Sequence, residues 1–282
     1  MDLSADYVNA DHIPGGADYP ARWAAQAAAF RARHPPQVLA YGRGERQALD
    51  LFLPAAGPAT GPAAGPATGP ATGPDIVPAI VPAGLLIIIH GGYWMRFHRH
   101  DWSHLAAGPL ARGWAVALPS YDLCPTVRIG QITRQVRAAV ILAAAQVQGP
   151  IVITGHSAGG HLAARMACAD MRLPMLDRVA RVVPISALSN LAPLMATQMN
   201  DVLRIDPAEA AAESPLLHPK PTVPVTVWVG AAERPAFLAH SQWLARGWDA
   251  RLVVDPGRHH FDVVAGLERA DSALCRALLE GG

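Results

Sequence analysis

Cysteine is scarce in this chain: Cys124, Cys168 and Cys275 are the only three among 282 residues. Odd in number and far apart, they cannot form a disulfide framework and match no metal-ligand spacing, so buried thiols are expected. Charge is sparse too, with 16% charged residues and a net charge of +1 from 23 Lys+Arg against 22 Asp+Glu. A dedicated nucleic-acid surface would show a basic excess, so that class is disfavoured. No apolar run approaches the ~20 residues needed to span a bilayer. The stretch "MDLSADYVNADHIPGG" is acidic and polar, unlike a signal peptide. These absences predict a soluble, cytoplasmic globular protein whose partner is a small-molecule substrate, with no nucleic acid and no membrane. A homodimer is left open.

What is present is apolar material, 51% of residues, enough for a large core in one domain spanning 1–282. "YPARWAAQAAAFRARHPP" has helical spacing, with Trp23, Ala27 and Phe30 on one side. "QVLAYG" and "RQALDLFLP" read as strands, the second alternating at Leu49, Leu51 and Leu53. A Gly/Pro/Ala/Thr repeat at 57–74 has no large side chain to bury and is expected to be a disordered or extended surface loop. From there strand and helix alternate: "GLLIIIH", "DWSHLAAGPLARG", "WAVALPS", a long amphipathic helix over "IGQITRQVRAAVILAAAQVQG", then "PIVITG" and "AGGHLAARMACAD". "RVVPISAL", "VPVTVWVG" and "ARLVVDPG" are further strands, with "RPAFLAHSQWLARG" helical between the last two and "HHFDVVAGLERADSALCRALLE" a closing helix. An irregular helical insertion at 189–217 is expected to form a small lid, with methionines suited to an adaptable apolar pocket. The alternation predicts an α/β architecture with a mostly parallel central sheet and helices on both faces.

The chemistry begins at "ITGHSAGGHLA", where Gly155, His156, Ser157, Ala158 and Gly159 spell G-x-S-x-G between an apolar strand and a small-residue helix. That context holds a serine hydroxyl out at a strained turn, as a nucleophile requires. Upstream, "IIIHGGYW" ends a strand in His-Gly-Gly, whose backbone N–H groups can face a developing oxyanion. Gly92, Tyr93 and Ala158 are the expected donors. A base should come late in the chain, and "RHHFD" offers His260, beside Phe261, with His259 as the alternative. His240 lies mid-helix and reads as packing or surface. The acid should follow the strand "VPVTVWVG", where Glu233 stands, with Asp255 competing. Tyr93 and Trp94 are candidate substrate-binding residues, and Phe97 and Trp102 cluster with them behind the oxyanion loop. The histidines of "HRHDWSH" (His98, His100, His104) do not match a zinc pattern and read as a solvated loop and helix start.

Taken together, "YGRGERQALDLFLP", "HGGYW", "YDLCP", "GHSAGGHLAARM", "SALSNLAPL…SPL" and "HHFDVV" resemble the kynurenine formamidase (arylformamidase) group of α/β-hydrolases. The resemblance covers nearly the whole chain apart from the 57–74 repeat. It implies an α/β-hydrolase fold and hydrolysis of N-formylkynurenine to kynurenine and formate, in tryptophan breakdown, with no metal or other cofactor. It also implies Ser157 as nucleophile, His260 as base, the Gly92/Tyr93/Ala158 oxyanion hole and an acid at Glu233, where the group carries Asp. Relatives with the same motifs are simple carboxylesterases, so a short-acyl carboxylesterase is the alternative. A non-catalytic binding protein on the same fold is a third reading, opposed by the complete set of triad candidates.

Overall fold

The computed structural model describes residues 2–55 and 81–280; the 57–74 repeat lies outside the described residues. Among the described residues eight strands form one sheet: β1 (Gln37–Ala40), β2 (Ala48–Phe52), β3 (Leu85–Ile89), β4 (Ala115–Pro119), β5 (Ile151–His156), β6 (Val179–Ile185), β7 (Thr226–Gly230) and β8 (Arg251–Asp255). Their spatial order is β1-β2-β4-β3-β5-β6-β7-β8. β2 runs antiparallel to both its neighbours, β1 and β4, and every pairing from β4 and β3 to β8 is parallel.

The apolar runs explain why this sheet is buried on both faces. In β3, Leu85, Ile87 and Ile89 join the core on one side while Leu86 and Ile88 join the core on the other, the two-residue period of a strand. The first core is closed by Ile129–Gln146, by Ala158–Ala167 and by Pro235–Gly247. The second is closed by Tyr19–Arg33, through Trp23 and Phe30, and by the C-terminal elements, through Val263, Leu267, Leu274 and Leu278. Among the described residues no helix is long and apolar enough to cross a membrane.

Several elements differ from expectation for identifiable reasons. β2 is buried at every position rather than at alternate ones, because both its faces are covered: Leu49 and Leu51 join the first core and Phe52 the second. Its Asp50 is matched by Arg99 Nε at 2.6 Å, and Leu53, beyond the strand, is about half exposed. The stretch 101–113 is a 3-10 turn (Ser103–Ala106) followed by one short helix (Ala107–Ala111), since Pro109 lacks the N–H a longer helix needs. The histidines there are only partly solvated: His100 is exposed, but His104 is buried, and His98 and Asp101 cap the turn Arg99–Asp101. The closing helix is two pieces, Val263–Glu268 and Ala273–Leu279, and Ser272 restarts the second by accepting the Cys275 N–H at 2.9 Å.

The parallel register aligns the strand ends. Ile89 pairs with Gly155, His156 with Ile185, Ile185 with Trp228, and Gly230 with Asp255. The loops that leave β3, β5, β6, β7 and β8 therefore open at one edge, the carboxyl ends, where open α/β sheets place their ligands.

Candidate active site

At that edge Ser157 follows β5 directly and has φ 57° and ψ −118°, a conformation that costs a non-glycine residue strain of order 1–3 kcal/mol. The turn is held by its neighbours. The Ser157 N–H donates to Ile185 O at 2.9 Å, and the Ser157 carbonyl accepts from the His161 N–H at 2.9 Å. A Cβ at Gly159 would lie 2.1 Å from Ile89 O, so only glycine lets the helix start this close to β3. The G-x-S-x-G reading is thereby given its physical reason: the two glycines admit backbone, and the serine takes the strain.

The loop after β3 comes up beside it. A Cβ at Gly91 would lie 3.3 Å from Ser157 Cβ. Gly92, Tyr93 and Trp94 all have positive φ (108°, 51° and 57°), a tight left-handed turn in which the Gly92 carbonyl accepts from the N–H groups of Met95 and Arg96. The N–H groups of Gly92, Tyr93 and Ala158 donate to no protein acceptor among the described residues. All three expected oxyanion donors are thus unspent, on the two loops that flank Ser157.

On the other side, Glu233 Oε2 lies 2.7 Å from His260 Nδ1. Glu233 Oε1 accepts the Gly230 N–H at 3.0 Å and the hydroxyl of Ser186. The carboxylate side chain is fully buried, yet both of its oxygens are matched. Because the carboxylate accepts from Nδ1, the other ring nitrogen, Nε2, is the one with a free lone pair. The ring packs on Phe237 and His156, with centroids at 4.2 and 4.5 Å, and lies farther from Phe261, at 5.9 Å. Phe237 therefore orients His260 more than the neighbouring Phe261 that the sequence suggested. His259 faces away: its Nε2 is 3.2 Å from Tyr19 Oη, and its Nδ1 accepts the Phe261 N–H. Asp255 is engaged with Trp228 Nε1 at 3.3 Å rather than with a histidine.

Ser157 and His260 meet on the wall of one cavity of about 510 Å³, within the range of small-molecule sites. Ser157 Oγ makes no hydrogen bond to the ring here; such contacts commonly tighten when substrate fills the site. The wall includes several aromatic side chains, among them Trp23, Tyr93, Phe97, Trp102 and Phe261. Trp94 is corrected: it is fully buried, packs edge-on against His161 at 5.0 Å and does not line the cavity. Its positive φ turns the side chain into the core while Tyr93 takes the wall. From the 189–217 stretch only Met199 lines the cavity; Leu191, Leu194, Leu203 and Ile205 pack into the core instead.

The cover that sequence reasoning missed is the N-terminal segment, whose Tyr7, Val8, Asn9, Ala10, Gly16 and Ala17 line the cavity. It is tied down at several points. Tyr7 Oη lies 2.9 Å from His240 Nε2, Tyr93 Oη donates to Tyr7 O, and Asn9 Nδ2 donates to Tyr93 Oη at 2.9 Å. Its readable signal was the turn "IPGG", where a Cβ at Gly16 would lie 2.3 Å from Ala10 O. Ser186 is the other residue that sequence reasoning missed, although it lies in "RVVPISAL" and opens "SALSNLAPL"; its φ of 50° turns it toward Glu233. His156, buried against His260, is held well below the usual imidazole range, chiefly by burial and then by the neighbouring ring. A Cys168–Asp170–His218 group elsewhere is closed by Arg165, which bonds both Asp170 and His218.

Comparison with known proteins follows this geometry. A family model described as BD-FAE matches residues 79–182, the span from β3 through the serine turn into β6. The kynurenine formamidase of Salmo salar is 24% identical over 296 residues, covering 99% of this chain and 90% of the relative. A crystal structure from Silicibacter sp., described as a candidate thioesterase, is 45% identical, with TM-score 0.87 and 100% of both chains covered. In sequence this chain is similar to kynurenine formamidases, and in fold to α/β-hydrolase esterases. It is a hydrolase on an α/β-hydrolase fold. Esterase B of Lactobacillus rhamnosis shares that fold, with TM-score 0.63 at 19% identity over 93% of this chain and 90% of the esterase.

Proposed function

We propose that this hydrolase cleaves N-formyl arylamides through a Ser157–His260–Glu233 triad, with N-formylkynurenine, converted to kynurenine and formate, as its substrate. The observation that carries the reading is the 2.7 Å contact between Glu233 Oε2 and His260 Nδ1, on the wall that Ser157 also lines.

His260 Nε2 takes the Ser157 hydroxyl proton as Oγ attacks the formyl carbon. The carbonyl oxygen becomes an oxyanion, received by the N–H groups of Gly92, Tyr93 and Ala158, which need no reorganisation because they are already unpaired. Glu233 steadies the imidazolium so formed. Collapse of the intermediate breaks the C–N bond, and His260 returns the proton to the departing arylamine. A water then attacks the formyl-serine with its proton passing to His260, and release of formate restores Ser157. The sum is amide plus water to amine plus formate. Glutamate serves where relatives carry aspartate because Ser186 and the Gly230 N–H fix its longer side chain from the far oxygen.

The arylamide class is supported by the aromatic wall formed by Trp23, Phe97, Trp102 and Phe261. It is also supported by the Salmo salar relative's name. A short-acyl carboxylesterase is the second reading, favoured by the fold shared with esterase B. The three free cysteines support a cytoplasmic setting for either. The deciding experiment compares turnover of N-formylkynurenine with that of p-nitrophenyl acetate. A kcat/KM for the formamide that equals or exceeds the ester's supports the first reading. Ester hydrolysis without formamide hydrolysis replaces it with the second.

A further inference from the structure

Among the described residues the cavity wall carries one side chain of permanent charge. Arg96 lines the cavity and is exposed, and no Asp or Glu is among the lining residues. Among the described residues Arg96 has no carboxylate within ion-pair distance, and its side chain makes no hydrogen bond. Other arginines, more deeply buried, are matched by carboxylates: Arg99 by Asp50, Arg165 by Asp170 and Glu213, Arg128 by Asp206 and Glu209. The acids of the covering segment, Asp6, Asp11 and Asp18, do not line the cavity and form no ion pair with Arg96.

Its position is also fixed relative to the chemistry. Arg96 closes the left-handed turn that carries two of the proposed oxyanion donors: its N–H donates to Gly92 O at 3.0 Å. A Cβ at Gly92 would meet Arg96 O at 2.6 Å, so this residue's backbone is packed against the turn. A cation anchored to that turn can hold an anionic substituent of a substrate at a set distance from its reacting carbonyl. The other titratable groups on the wall do not compete for that role. His156 is held neutral by burial, and His260 is committed to Glu233.

We propose that Arg96 is a specificity-determining residue, which selects substrates bearing a carboxylate on the leaving-group side over neutral ones of the same shape. The inference rests on the serine-hydrolase reading above but not on the formyl specificity. A guanidinium–carboxylate contact is a charge-assisted hydrogen bond, enough even at an exposed position for a preference of roughly tenfold.

The test measures kcat/KM for two matched pairs: 4-formamidobenzoate against methyl 4-formamidobenzoate, and 4-acetoxybenzoate against methyl 4-acetoxybenzoate. Wild-type protein, Arg96→Lys and Arg96→Gln are each assayed at low and at high NaCl. In the wild type the carboxylate member should win by roughly tenfold, mainly through KM, and added salt should narrow the ratio. The ratio should fall to about one in Arg96→Gln and keep part of its value in Arg96→Lys. A wild-type ratio near one, or an unchanged ratio in Arg96→Gln, overturns the proposal. If only the acetoxy pair turns over, the formamidase reading fails while the Arg96 ratio in that pair still decides this inference. If neither pair turns over, both fail.

Discussion

Glu233 and His260 are 27 positions apart in sequence and 2.7 Å apart in space, joined because β7 and β8 are adjacent parallel strands that end side by side. The carboxylate is held from behind by Ser186 and the Gly230 N–H, so its near oxygen has one direction open, toward the imidazole. Glu233→Gln keeps the volume and removes the charge that stabilises the imidazolium. We expect kcat to fall by roughly 10²–10⁴ with the fold intact. Ser186→Ala, which leaves one donor on Oε1, should cost far less, and a Ser186→Ala loss equal to that of Glu233→Gln would show that the carboxylate's support is misassigned.

Two histidines stand side by side in "RHHFD", and the structure separates them. His260 is bound to Glu233, while His259 is bound to Tyr19 and to backbone N–H groups of its own turn. His260→Ala should reduce turnover by about 10⁴ or more, whereas His259→Ala should be mild and act mainly on stability. Equal losses, or the reverse order, measured by steady-state kinetics on folded variants, would reassign the base.

That distinction marks how far the sequence could be read. The serine turn, the His-Gly-Gly loop and the alternation of strands and helices were legible because glycine placement and apolar runs are local signals. Adjacency to Phe261 points to His260 over His259, yet the closest ring contacts come from Phe237 and His156, distant in sequence. The covering role of residues 7–17 was illegible for the same reason: a polar segment rich in turns shows no periodicity, and its function is set by where Tyr93 and His240 can bond it. Trp94 misled because aromatic residues in one loop need not face one way; successive positive φ values send Trp94 to the core and Tyr93 to the wall.

Stability should fall on the acid side of neutrality. Burial holds His90 and His161 down at about 3, and His104 and His240 at about 4, against an unfolded value of 6.5. Between pH 6.5 and those folded values the unfolded chain binds protons that the folded one refuses, so unfolding becomes easier as pH drops. The limiting slope is about 1.4 kcal/mol per pH unit for each such histidine. Urea unfolding at pH 7.5, 6.0 and 5.0 should show midpoints that decrease in that order, and a flat or rising series would contradict the neutral burial of these rings.

Acyl size should separate the two enzymatic readings. Ala158 is fully buried beside Ser157, and Tyr93 is fixed at its hydroxyl by Tyr7 and Asn9, so neither yields room easily on the acyl side. Each added methylene should cost ~1–3 kcal/mol by overpacking. On one common aryl leaving group, rates should fall steeply from formyl and acetyl to butyryl. Faster hydrolysis of butyryl and hexanoyl esters would establish a true acyl pocket and favour the carboxylesterase.

The central claim is that Ser157 is the atom acylated. Its most direct measurement is intact-mass and peptide analysis after reaction with a fluorophosphonate, run on wild type and on Ser157→Ala in parallel with turnover. The account predicts a single adduct on the peptide containing Ser157, no adduct on Ser157→Ala, and a loss of turnover on the order of 10⁴ in that variant with its fold retained. An adduct on another residue, or a folded Ser157→Ala protein that keeps a tenth of wild-type activity, would contradict it.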